Sequence, residues 1–379
     1  MPNPVSFEKV RKRRRKIETI KRLSILALIF AVVAGAVALN NLLVQNELSL
    51  RISDLLELRG GTGFPADLPG GIVRDIKPIG RNLAVLTDTN LLIYNERGRA
   101  VSNTQRMTDR TVMLTNQSRA LSFDPGSRAY RIHTPARTDY HEPENGIISA
   151  ALADNNMFAL VTSARQFVAE AAVYRSPTEE PVFRWLSPDN HITGVALSPR
   201  GTHMAVACVM TEGGMLKSQA VLFQLDSTDM VEIGFPGSLI LQLEYTDARL
   251  CILTDREYAV FDYSGESLFS YDLGSDPVSA IRSYDGETLL LTEYREARTS
   301  RLVLLDESLT VTAQHSAPNN IKGIEIGRRR IYVLDDSGIE AFDRQLNSME
   351  KTERRGITHM QLVDGKLYYT TADEIFLFD

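Results

Sequence analysis

Leu92-Ile93-Tyr94-Asn95-Glu96-Arg97-Gly98 reads as an apolar strand whose aromatic end runs into an Asn and then a turn. Related versions stand at Ala259-Val260-Phe261-Asp262-Tyr263-Ser264-Gly265, Val303-Leu304-Leu305-Asp306, Glu340-Ala341-Phe342-Asp343 and Phe376-Leu377-Phe378-Asp379. A strand-built unit returning every roughly 36 to 50 residues is the mark of a β-propeller rather than of a helical solenoid.

Working outward, each unit repeats one strand sequence. The first strand has the form Ile-x-x-apolar-x-apolar at Ile192 to Leu197, Ile321 to Ile326 and Ile357 to Leu362, with looser copies opening at Ile147 and Val278. A tight turn follows, such as Ser198-Pro199-Arg200-Gly201, Asp285-Gly286 or Asp364-Gly365, whose residues suit hairpins. The second strand is a dense apolar run, as in Leu83-Ala84-Val85-Leu86, Met204-Ala205-Val206-Ala207 and Ile331-Tyr332-Val333-Leu334. The third is the opening motif, and the fourth is more polar, as in Ser267-Leu268-Phe269-Ser270-Tyr271. Third-strand markers at Tyr94, Ile132, Tyr174, Leu225, Phe261, Leu305, Phe342 and Phe378 give eight units, with seven as the alternative count. The expected fold is therefore all-β, a propeller of four-stranded blades over residues 60–379. The third position of the first strand is small at Ser149, Gly194, Ala280 and Gly323, which lets blades crowd around an axis. The last unit stops after its third strand, so the stretch 62–69 is expected to supply the fourth and close the ring.

Upstream, residues 1–22 hold nine Lys or Arg against Glu8 and Glu18, a local charge of +7; with a total of −6, the remainder carries −13. The run Leu23 to Leu39 has Ser24 as its only clearly polar side chain and would form a helix about 26 Å long, extendable through Leu42-Leu43-Val44. A single transmembrane helix over 23–44 is expected, with the basic tail 1–22 cytoplasmic and residues beyond it extracytoplasmic. A cleaved signal peptide ending near Ala36-Val37-Ala38 is the alternative, opposed by an apolar run longer than such peptides carry. The tail's charge is accounted for by topology and anionic lipid, so no nucleic-acid partner is expected. Val44, Leu48, Ile52 and Leu55 form one helical stripe, a juxtamembrane stalk over 45–59 through which chains could self-associate. Gly60, Gly61, Gly63, Pro65, Pro69, Gly70 and Gly71 then mark a linker. Cys208 and Cys251 fall on opposite faces of equivalent strands and are expected to be free thiols.

Val195-Ala196-Leu197-Ser198-Pro199-Arg200-Gly201 resembles the strand and turn opening many WD-type propeller units. With Gly70-Gly71-Ile72, Leu83 to Gly98, and Val182-Phe183-Arg184-Trp185, the layout resembles an uncharacterised bacterial family, a domain of unknown function built as a basic tail, a signal anchor and an extracytoplasmic propeller. That resemblance spans about residues 15 to 379; it implies a fold and a location but no chemistry. Quinone-cofactor dehydrogenases share eight-bladed propellers but carry a tryptophan in nearly every blade, and this chain has one, Trp185.

Chemistry is hard to find in the residues themselves. His133, His141, His191, His203, His315 and His359 lack metal-type spacing, and no nucleophile elbow, phosphate loop or calcium loop occurs. No cofactor, metal or catalytic residue is expected. One polar pair stands out: Asp75 and His359 occupy the small inner position in the first and last units, where closure would make them neighbours. An ion pair sealing the ring is the expectation there, with a ligand site in the channel second. The functional expectation is a non-catalytic envelope scaffold with a protein partner held by longer second-to-third-strand connections at 162–170, 210–218 and 293–300. An envelope hydrolase or lyase with dispersed catalytic residues and a membrane sensor are the alternatives.

Overall fold

The computed structural model of the protein describes residues 48–175, 180–294, 299–318 and 320–378. The tail 1–22 and the apolar stretch 23–44 lie outside the described residues; among those described, no helix is long and apolar enough to cross a membrane. The chain divides into two units, Met1–Glu57 and Leu58–Asp379. In the first, helix α1 (Leu48–Glu57) exposes Leu55 and Leu56.

The second unit contains eight four-stranded antiparallel sheets, so eight blades and not seven. In chain order blades one to seven span 73–105, 112–141, 147–187, 191–236, 240–272, 278–318 and 323–353. Blade eight takes three strands from 359–377 and its fourth from Ala66–Asp67, which pairs with the strand Glu374–Leu377 through Ala66↔Ile375 and Asp67↔Glu374. The inner strands of blades one and eight pack together, closing the ring.

The core is divided into apolar layers, one between each pair of neighbouring blades. Leu92 and Tyr94 pack toward blade eight with Tyr368 and Ile375, whereas Leu91 and Ile93 pack toward blade two with Met113 and Ala120. Alternate residues of a strand point to opposite sheet faces, and here both faces are covered. Middle strands therefore read as continuous apolar runs, while outer strands such as Ser348–Glu353 stay largely in water. Cys208 faces blade three and Cys251 faces blade six, and both are free thiols, the first buried and the second partly so.

The recurring Asp or Asn after the third strand has a local cause. Asp262 Oδ1 accepts the amides of Ser264 and Glu266 at 2.9 and 2.8 Å, and Asp306 Oδ1 those of Ser308 and Thr310, both at 2.9 Å. Asp343 holds Gln345 and Asn347 in the same way, and Asn95 holds Arg97 and Arg99. A short acceptor at this position fixes the turn that starts the fourth strand. Two markers shift under this register: the residue equivalent to Tyr94 is His133 rather than Ile132, and Phe223 rather than Leu225.

Connections joining first to second and third to fourth strands share one face, tied from blade to blade. Arg81 reaches Asp364 at 3.1 Å, Gly80 N reaches Asn116 O at 3.2 Å, and Asn116 reaches Ala153 O at 2.7 Å. Asn155 then reaches Arg200 O at 2.6 Å, and Arg249 reaches Glu307 O at 2.7 Å. The linker docks on this face: Asn95 Nδ2 donates to the carbonyls of Leu58 and Gly60, and Gly63 N to Arg97 O. We call it the linker face. Second-to-third-strand hairpins project from the opposite, hairpin face.

Candidate functional site

The inner strands line a central channel, and a repeated β-bulge holds them in register. The bulge falls between Val73 and Asp75, Ile147 and Ser149, Ile192 and Gly194, Ile240 and Gln242, and Val278 and Ala280. Counted back from the first turn of each blade, the equivalent residues are Asp75, Val112, Ser149, Gly194, Gln242, Ala280, Gly323 and His359. Small residues at four of these allow close approach, as the sequence suggested.

Two residues further on lies a second ring, Lys77, Leu114, Ala151, Ala196, Glu244, Arg282, Glu325 and Gln361. Its charges fall on one arc. Arg282 Nε donates to Glu325 Oε1 at 3.0 Å, and Gln361 Nε2 donates to Glu325 Oε2 at 3.3 Å, linking blades six, seven and eight. Lys77 donates to Met113 O at 2.7 Å, linking blades one and two. Glu325 is 4% exposed, and burial raises its pKa against the opposing pull of Arg282. Glu244 is exposed to channel water, yet the crowded channel wall raises its pKa, while Arg282 and a bond from Gln242 oppose the rise. Leu114, Ala151 and Ala196 form the opposite, apolar arc and, with Lys77 and Glu244, line a cavity of about 330 Å³ that continues toward Asp154. Burial and the charge of Asp247 raise the Asp154 pKa.

Asp75 and His359 do sit on the adjoining inner strands of blades one and eight, but the contact differs from the expected ion pair. Asp75 pairs with Lys77 at 3.5 Å. Burial lowers the His359 pKa, outweighing the charge of Asp75 and a hydrogen bond to the Arg74 backbone, so the imidazole is neutral near pH 7. The second ring has no residue-type signature of its own in the sequence; its one signal is position, two residues beyond the small site of each unit, where Glu244, Arg282 and Glu325 fall.

One further pair has the geometry of an activated nucleophile. Ser122 Oγ lies 2.8 Å from His133 Nε2, with Thr138 Oγ1 3.1 Å from Nδ1. His133 is 1% exposed, Ser122 is 2% exposed, and burial with help from Arg131 lowers the His133 pKa to about 4. A base this weak and this enclosed cannot serve an external substrate, so the pair is structural. Among the described residues no group of three or more His, Cys, Asp or Glu could hold a metal ion.

The model of a family described as "Family of unknown function (DUF5711)" matches residues 72–375. No curated protein sequence matches the chain. Among solved structures, Saccharomyces cerevisiae Sqt1 superposes with a TM-score of 0.60 at 9% identity, covering 85% of this chain and 100% of that one. The C-terminal WD40 domain of Sif2 gives 0.58 at 10% identity, covering 84% and 100%. BamB from Moraxella catarrhalis gives 0.53 at 10% identity, covering 84% and 99%. At such identities the likeness is one of fold.

Proposed function

The chain belongs to the DUF5711 family of unknown function, and from that premise we propose that it is a non-catalytic, membrane-anchored scaffold whose propeller binds a protein partner in the bacterial cell envelope. The hairpin face carries the reading. There the strands His203–Glu212 and Met215–Gln224 run past their sheet neighbours as a bare two-stranded ribbon, since pairing to the inner strand ends at Val209 and pairing to the outer strand ends at Lys217. At or beside the hairpin tips Met215 is 74% exposed, Leu216 46% and Phe167 38%, and Ile72, Ile148 and Leu241 are exposed on the same face. Apolar side chains raised together on one rigid face favour a protein surface as occupant. Membrane attachment is supported by the apolar run 23–39 and the charge step before it.

The test is crosslinking in intact membranes followed by affinity capture, comparing the native chain with a variant in which short turns replace 164–168, 211–216 and 295–298. Loss of a reproducibly captured envelope protein at unchanged melting temperature is the expected result. Capture that survives all three replacements would sink the assignment of this face.

A further inference from the structure

We propose that the linker face around blades seven, eight and one is a docking surface for anionic phospholipid headgroups. The inference rests on the membrane-anchored reading and adds a surface to it.

Four arginines carry the argument. Arg59 and Arg97 lie where the linker joins blade one, and Arg328 and Arg329 occupy the first turn of blade seven; all four are exposed. None forms an ion pair or donates a side-chain hydrogen bond among the described residues, whereas Arg330 pairs with Glu350 and Arg81 with Glu96 and Asp364. The blade-to-blade hydrogen bonds put both groups on one face, and the Arg81–Asp364 bridge joins blades one and eight between them. The other sector of the face, over blades three to six, bears Asp154, Asp226, Asp247, Asp262 and Asp306 against Arg200 and Arg249, so it is acidic on balance while the side where the chain arrives is basic. Two unpaired guanidinium groups beside the attachment point of a tether, with two more on blade seven of the same face, suit phosphate-rich headgroups, because each can bond a phosphate through two N–H groups. A protein partner would have no reason to choose this sector over the apolar hairpin face.

The experiment uses the full chain reconstituted into phosphatidylcholine vesicles with and without phosphatidylglycerol, read by amide hydrogen exchange across 96–99 and 327–330. Exchange should slow by roughly fivefold or more only when the anionic lipid is present, and high salt should remove the protection. The variant Arg97→Glu, Arg328→Glu, Arg329→Glu should lose it at unchanged melting temperature, and the corresponding Gln variant should lose most of it. Equal exchange in both vesicle types, or protection that persists in the charge-reversed variant, would overturn the proposal. Alkaline carbonate extraction separates the two readings. Release of the whole chain would overturn the anchor and this contact with it, whereas retention with unprotected loops would overturn the contact alone.

Discussion

Where seven blades end their third strand with an aromatic or aliphatic side chain, blade two carries His133, sealed by Ser122 and Thr138. Nothing in the sequence marked it, because its neighbour Ile132 satisfied the apolar pattern one residue early. Its burial has a pH consequence. The unfolded imidazole titrates near 6.5 and the folded one near 4, so between these values the unfolded chain binds the extra proton. Stability is therefore full above about pH 6.5 and lost as pH falls toward 4, by up to about 3 kcal/mol from this group. His203 and His359 are shifted in the same direction and add to the slope. Urea unfolding at pH 7.5 and pH 5 should show the decline, and His133→Gln, though less stable at pH 7.5, should show a shallower one. An equal slope in the variant would mean that His133 is already charged in the fold. Asp75 and His359, by contrast, were legible as a pair because repeat alignment located them, but alignment could not tell that Lys77, two residues away, would take the carboxylate.

The turn after the third strand is the element that the sequence displayed most openly, and Asn95, standing where blades five to seven carry Asp, is informative. Asp262, Asp306 and Asp343 need only accept amides, and a carboxylate does that well. Asn95 accepts the same two and also donates Nδ2 to Leu58 O at 3.0 Å and Gly60 O at 2.8 Å, which a carboxylate cannot do. The amide is thus the side chain that both folds the turn and fastens the linker. Gly98 completes the arrangement, since its φ of 73° and the Gly63 carbonyl against it leave no room for a Cβ. Asn95→Asp should keep the turn but set a buried negative charge against two carbonyl oxygens, costing roughly 2–4 kcal/mol. Denaturant titration checks this, and the loss should shrink in acid as the new carboxyl takes a proton. A stability within about 0.5 kcal/mol of the native chain would mean that water replaces the linker bonds. The repeated β-bulge of the inner strands was invisible beforehand, because a bulge is set by pairing with the second strand and leaves the residue types unconstrained.

Across the whole molecule, chain order and ring order are joined at one sheet. Blade eight draws its inner three strands from the end of the chain and its outer strand from residues 66–67, so the blade cannot be complete until the two ends of the propeller sequence meet. The count of units and the missing last strand were readable because every blade repeats one pattern; which short piece of 62–69 pairs was not, since Ala66–Asp67 has no strand signature. Its hold is mostly apolar. Ala66 and Leu68 are buried against Tyr94, Tyr368 and Ile375, Phe64 meets Tyr368 edge-on at 5.0 Å, and Tyr94 Oη donates to Asp67 O at 2.8 Å. Exposing these side chains costs about 4 kcal/mol, which in a domain of this size is roughly 6 °C of melting temperature. Replacing residues 60–71 by a Gly-Ser segment of equal length should lower the melting temperature by that amount. Because the interface between blades eight and one would open first, hydrogen exchange should rise at 73–79 and 366–377 before blades three to five respond. A uniform rise across all blades would instead mean that the ring holds without its closing strand and that the replaced segment acts on the chain as a whole.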